Sequence, residues 1–137
     1  MQVNIYLHTQ NRGVKARELG YIYMLEAITS KEPVTKTYMG KGVGTYQRMS
    51  AQCLLSALKR LNKSAELVIY TDSGYVTGII NQSLNNWIAD KWGKDVANKD
   101  LWQQIADELQ KHMFIGCTSE STEYTQWMKR ELERRMS

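Results

Sequence analysis

Apolar and polar residues alternate at the start of the chain. Val3, Ile5 and Leu7 interleave with Asn4, Tyr6 and His8, the period of two expected of a half-buried strand. "YIYMLEAI" (21 to 28) and "PVTKTYMG" (33 to 40) are aromatic and β-branched enough to be a second and a third strand. The only proline, Pro33, marks the short turn between them, so the pair reads as a hairpin. "GKGVGT" (40 to 45) is then expected to break the strand pattern.

The period changes from Thr45 to Leu61. Tyr46, Met49, Cys53, Leu54, Ala57, Leu58 and Leu61 fall on one face of a helix. "AELVIYT" (65 to 71) is short, apolar and unbroken, as a buried strand would be. A short helix is predicted from Ser73 to Asn81, weakened by Gly74 and Gly78. "GKDVAN" reads as a loop. Asp100 is predicted to head the next helix, with Gln103 three residues on as its capping-box partner. Leu101, Trp102, Ile105 and Leu109 form that helix's buried stripe. "MFIGCT" (113 to 118) is a last strand, and Tyr124, Trp127, Met128 and Leu132 form the stripe of a final helix.

A hairpin followed by strand–helix–strand crossovers implies an α/β fold, a mixed five-stranded sheet with helices on both faces. With 137 residues, no repeat and no linker, a single domain over residues 1–137 is expected. No stretch is apolar enough to span a membrane, and no signal peptide is evident, so a cytoplasmic address is expected. Cys53 and Cys117 have no CxxC spacing and are read as small buried residues, neither a disulfide nor a zinc pair.

Charge adds a partner class. Residues 31 to 63 carry seven Lys/Arg against one acid, Glu32, a net +6, so the rest of the chain is −2 within a total of +4. Such a segment suits a polyanion such as nucleic acid, and equally a solvated lysine-rich surface.

Several strings, in order, resemble ribonuclease H of type I and its relatives in reverse transcriptases. "IYTDSGYVTGII" is similar to the family's strand-end motif. "NNWIADKWG" follows like its basic protrusion, then "NKDLWQQIADEL" like its "N.DLW" helix start. "TYQRMSAQCLLSAL" gives weaker support. The resemblance implies a ribonuclease H-like fold. It also implies cleavage of the RNA strand of an RNA–DNA hybrid, with four carboxylates holding two magnesium ions.

Position by position, the carboxylates do not carry over. His8 stands where the first strand would supply aspartate, and Ser50 where the first helix would supply glutamate. Asp72 is present at the strand end. The last-helix position falls near Met128, with Glu123 and Glu131 close by. Magnesium prefers carboxylate oxygens, and imidazole suits softer metals. The resemblance therefore points to a catalytically degenerate relative, a pseudoenzyme with Asp72 as remnant and no metal cofactor. If activity survives, magnesium or manganese would serve it. A His8–Asp72–glutamate site, with Glu123 or Glu131, would suit manganese or zinc. Asp72 is also expected to cap the helix that follows it, a role compatible with holding a metal.

The binding positions are better kept. Thr45 and Asn98 match the family's DNA-phosphate pocket, and Arg48 matches in "RM". Val43 replaces an expected arginine, and Gly74 an expected glutamine. Trp87 and Trp92, with Lys91 and Lys94, resemble the protrusion, although Trp92 is read as packing under a loop and Trp102 as core. Residues 85 to 100 hold three Lys and three Asp, so this protrusion is not basic. The mobile histidine expected before the last helix is missing from "GCTSESTEY", and His112 lies earlier. The expected partner is nucleic acid, a hybrid or duplex. A protein-interaction scaffold is a further reading, since reverse transcriptases use a degenerate copy of this fold as a connector.

Overall fold

A computed structural model of the chain describes residues 1–136, and Ser137 lies outside the described residues. The strands are β1 (Gln2–Thr9), β2 (Arg17–Ile28), β3 (Val34–Gly44), β4 (Glu66–Thr71) and β5 (Met113–Thr118). They form one sheet in the order β3-β2-β1-β4-β5. β1, β2 and β3 pair antiparallel, whereas β4 lies parallel to both β1 and β5. The helices are α1 (Tyr46–Lys59), α2 (Gly74–Gly78), α3 (Leu84–Ala89), α4 (Lys99–Leu109) and α5 (Thr125–Met136), with a π-helical turn (Ile79–Ser83) joining α2 to α3. The predicted mixed α/β architecture is the observed one.

Alternation on β1 sorts the two faces. Val3, Ile5 and Leu7 point to a large apolar core that includes Leu54, Leu58 and Trp102 from α1 and α4. On the other face Tyr6, with Ile22 and Met24 of β2, packs under Met128 and Leu132 of α5 in a smaller cluster. The α1 stripe is buried where the helical period placed it, from Met49 to Leu58. Trp102 is fully buried, as expected of its stripe. Cys53 and Cys117 are buried free thiols. No helix of the described residues is long and apolar enough to cross a membrane.

Three local expectations fail. The glycine-rich "GKGVG" continues β3, because β2 begins at Arg17 and supplies partners through Arg17↔Gly44 and Gly20↔Lys41. A Cβ at Gly40 would meet the Tyr21 ring at 2.5 Å, so this glycine admits a cross-strand aromatic. Ser73, not Asp72, caps α2: its Oγ accepts from the Val76 amide at 3.3 Å. Asn98, not Asp100, precedes α4, with left-handed backbone at φ 61°. Asp100 lies inside the first turn, where it is held by Arg48 instead of capping.

Candidate functional site

The site follows from strand pairing. β1 and β4 run in parallel with Leu7 opposite Thr71, so the next residues on each strand, His8 and Asp72, emerge side by side. His8 Nδ1 lies 2.8 Å from Asp72 Oδ2. An ionised carboxylate only accepts, so the proton of this bond is assigned to Nδ1 and the ring donates. His8 is buried at 7 % exposure, while the Asp72 side chain is 39 % exposed. The pair thus has a buried base and a half-open carboxylate.

Met128 reaches the same place from α5. It is buried and lines, with Tyr70, Thr71 and Asp72, a narrow cleft closed by Ser119–Ser121. Its thioether also packs on the Tyr6 cluster. Ser50 is buried in α1, and its Oγ has no hydrogen-bond partner. Between Ser50 and Asp72 stands Tyr46, at the first position of α1. Burial pushes the Tyr46 phenol above its ordinary pKa, the Asp72 charge acts the same way, and the Ser73 hydroxyl opposes both. The positions that the resemblance implies thus hold a hydroxyl, a carboxylate and a thioether, with Met128 and the His8 imidazole beside Asp72.

Two magnesium ions do not fit this donor set. A neutral hydroxyl, a thioether and an imidazole add no negative charge to balance four positive ones. Among the described residues no group of three or more His, Cys, Asp or Glu is gathered closely enough to hold a metal. The expected third ligand for a histidine–carboxylate site is not supplied. Glu123 is exposed, and the Glu131 carboxylate is taken by Arg134 and Arg135 on its own helix. Glu131 turns away because the buried stripe of α5 runs through Met128 and Leu132.

A second constellation forms where α1 and α4 begin. Thr45 caps α1, its Oγ1 accepting from the Arg48 amide at 3.1 Å. The Arg48 guanidinium donates to Asn98 Oδ1 at 3.2 Å and to both Asp100 oxygens at 3.1 and 2.8 Å. That fork holds the Asp100 carboxyl below its ordinary pKa. Asn98 Nδ2 donates to the Tyr75 hydroxyl at 3.1 Å, which also accepts from Trp102 Nε1 at 2.9 Å. The predicted trio Thr45, Arg48 and Asn98 is brought together, organised by Tyr75, which the helical period alone did not single out. Val43 is 74 % exposed and leaves one side of the trio without a cation.

The protrusion is compact. Trp87 and Trp92 lie 6.0 Å apart, tilted at 48°, and both pack partly against the main core. Lys91 is exposed with φ 53°, and Lys99 Nζ donates to the Trp92 carbonyl at 2.8 Å, closing the loop. His112 is far from Asp72 in role: its Nδ1 accepts from the Ala65 amide at 3.1 Å, and burial holds its pKa below the ordinary value.

A carboxylate that the sequence reading passed over is Glu26 on β2. It is buried at 6 % and accepts from Tyr6 at 2.7 Å, Asn4 at 3.0 Å and Tyr124 at 2.8 Å. Burial pushes its pKa up, but the bonds from Tyr6, Asn4 and Tyr124 outweigh that and hold it low. Register places Glu26 opposite Asn4, four residues from His8 along β1 or about 13 Å. That is too far to share an ion with Asp72.

Comparison with known proteins agrees with this architecture. The RNase H family model matches residues 5–117. The ribonuclease H of Rickettsia massiliae (strain Mtu5) is 43 % identical over 75 residues, 52 % of this chain and 49 % of that protein. The chain thus spans about half the length of the curated relatives it matches. LC9-RNase H1, described as a type 1 RNase H with the type 2 active-site motif, is similar with a TM-score of 0.79 at 15 % identity, over 97 % of this chain and 71 % of that one. A foamy viral protease-reverse transcriptase in complex with RNA/DNA hybrid is similar with a TM-score of 0.70 at 17 % identity, over 96 % of this chain and 19 % of that one. With the family model covering most of its length and the sheet order, crossovers and site-bearing strand ends all in place, the chain belongs to the RNase H family.

Proposed function

We propose that this chain is a single, catalytically degenerate ribonuclease H-like domain that binds nucleic acid, RNA–DNA hybrid or duplex. The observation that carries the reading is the bond between His8 and Asp72. It occupies one oxygen of the site's lone strand-end carboxylate with a neighbour from the position where a second carboxylate is expected. Ser50 and Met128 add no charge. Two-metal hydrolysis supplies an activated water and a stabilised leaving oxygen, and these residues do not assemble the acids that chemistry needs.

Binding needs less. The Thr45 hydroxyl keeps its proton for a phosphate oxygen while its oxygen caps α1. Arg48 and Asn98 stand beside it at a helix start, where backbone amides favour an anion. Trp87 and Lys91 offer an aromatic edge and a cation on the protrusion. The similarity to a reverse transcriptase solved with hybrid supports hybrid as the ligand to test first. Two unbridged cysteines agree with a reducing, cytoplasmic setting.

The relatives named ribonuclease H favour a second reading, residual cleavage in magnesium or manganese with substituted ligands. One experiment separates the two: a labelled RNA–DNA hybrid is offered for binding and for cleavage in the same buffers. The proposal expects saturable, salt-sensitive binding and no cleavage in Mg²⁺ or Mn²⁺. Cleavage that disappears in Asp72→Asn overturns it in favour of the enzyme. Absence of binding even at low salt points instead to a protein-interaction scaffold.

A further inference from the structure

Helix α1 is shorter than the strands it covers. Its 14 residues span about 21 Å, whereas the 12 residues of β2 run for about 40 Å. Past the last turn of α1 the sheet is left uncovered, and the chain from Arg60 to Ala65 folds beside the gap as a wall. The result is a groove of about 480 Å³. It lies at the end of α1 away from Asp72, so about the length of that helix separates it from the site already described.

The groove is built in two parts. Its floor is aliphatic: Val3 of β1, Leu25 and Ala27 of β2, and Leu61 of the wall. Its rim carries three cations, Lys36, Arg60 and Lys63, and among the described residues no acid lines it. Arg60 is held in place. Its Nε donates to the Tyr23 hydroxyl at 3.0 Å, and its guanidinium lies 3.9 Å from the centre of the Tyr38 ring. Tyr38 is itself stacked on Tyr23. A guanidinium clamped this way has already lost much of its rotamer freedom, so binding costs less entropy. Lys36 and Lys63 are exposed and make no ion pair or hydrogen bond among the described residues.

We propose that this groove is a second ligand site that takes a phosphate monoester carrying an apolar or aromatic body of nucleoside size. Charge selects the head. Three cations along one groove, without a neutralising acid, match a dianion better than a carboxylate, and the Arg60 fork suits phosphate oxygens. The floor selects the body, since a volume of this order encloses a drug-sized molecule rather than a bare ion. Neither part depends on nucleic-acid binding at Thr45 and Asn98.

The test is fluorescence titration of the full chain at low salt with 1-naphthyl phosphate, beside 1-naphthoate and inorganic phosphate. The aryl phosphate is expected to saturate, with at least tenfold weaker binding by each of the other two. The double variant Lys36→Gln/Lys63→Gln is expected to lose at least tenfold in affinity, while Asp72→Asn and Thr45→Val leave it unchanged. Both lysines are exposed and unpaired, so the double variant should fold. No saturation, equal binding of naphthoate, or an undiminished double variant overturns the proposal. Loss of binding in Asp72→Asn or Thr45→Val also overturns it, by moving the ligand to the other end of the sheet. A single-stranded oligonucleotide with a 5′-phosphate, competing with the aryl phosphate, distinguishes a nucleic-acid end from a free small molecule as the source of the head group.

Discussion

The two faces of the sheet are built differently. The face under α1 and α4 is dry: Ile5, Leu54, Leu58, Leu67, Ile69 and Trp102 are fully buried there. The face under α5 is narrower and partly polar. Tyr6, Asn4 and Tyr124 surround the Glu26 carboxylate, with Tyr6 stacked on Tyr70 at 4.9 Å. The Asp72 site opens on the second face, beside Met128. Stability should therefore reside on the α1 face and pH sensitivity on the α5 face. The trio of Thr45, Arg48 and Asn98 sits at the rim, where α1 and α4 begin.

The largest test of this contrast is Trp102→Ala. It removes a fully buried indole and its bond to the Tyr75 hydroxyl, at an expected cost of about 3–5 kcal/mol. Urea titration should show a midpoint drop of that order, and nucleic-acid binding should weaken because Tyr75 also holds Asn98. A loss below about 1 kcal/mol would break the view that the dry face carries the fold.

Glu26→Gln probes the other face, and its effect depends on pH. Glu26 is held below its ordinary value of 4.5 in the folded chain. The unfolded chain therefore binds more protons in acid, so this contribution is fully present above about pH 4.5 and fades as pH falls through the folded value. Bonds to an ionised acceptor are worth about 1 kcal/mol more than neutral ones. The variant should be less stable by about 1–2 kcal/mol at pH 7, with a flatter decline in acid. Parallel acid-unfolding curves for the two proteins would remove Glu26 as the cause.

Tyr124→Phe deletes one of the three donors to Glu26 and should cost about 1 kcal/mol, measured by thermal melting. Spectroscopic titration should lose a phenol pushed up to about 12, since Glu26 raises the Tyr124 pKa most and burial adds to it. Asp72→Asn should change stability by less than about 1 kcal/mol, because the carboxylate is half exposed and does not cap α2. A larger loss would mean that the His8 bond is part of the scaffold.

The smallest structural change has a functional readout. Asp100 ties up the Arg48 fork at the rim, so Asp100→Asn should leave stability within about 1 kcal/mol. It should tighten hybrid binding and steepen the slope of log K against log salt by about one charge. An unchanged slope would show that Arg48 makes no phosphate contact.

Periodic features are readable in the sequence itself. The α1 and α4 stripes lie where their spacing put them, because burial of a whole helical face repeats every three to four residues. Single-residue features are not. Asp72 and Ser73 are both good capping residues, and the choice between them depends on where the strand lets go. Likewise "GKGVG" has a loop's composition, yet β2 offers its edge and Met49 and Tyr21 fill the space the missing side chains leave. Glu26 gave no signal, since one acid in an apolar strand looks the same whether it faces solvent or two tyrosines.

By itself, then, the sequence determined the elements, their order and the family, and it set His8 and Ser50 where the resemblance implies carboxylates. Tertiary structure alone decided what those residues meet. Parallel pairing of β1 with β4 brings together residues 64 positions apart and turns a solitary aspartate into a hydrogen-bonded pair. The uncovered end of the sheet likewise exists only because helix and strand rise at different rates per residue. Such contacts depend on which strands become neighbours and how far each element reaches, and no local pattern encodes either.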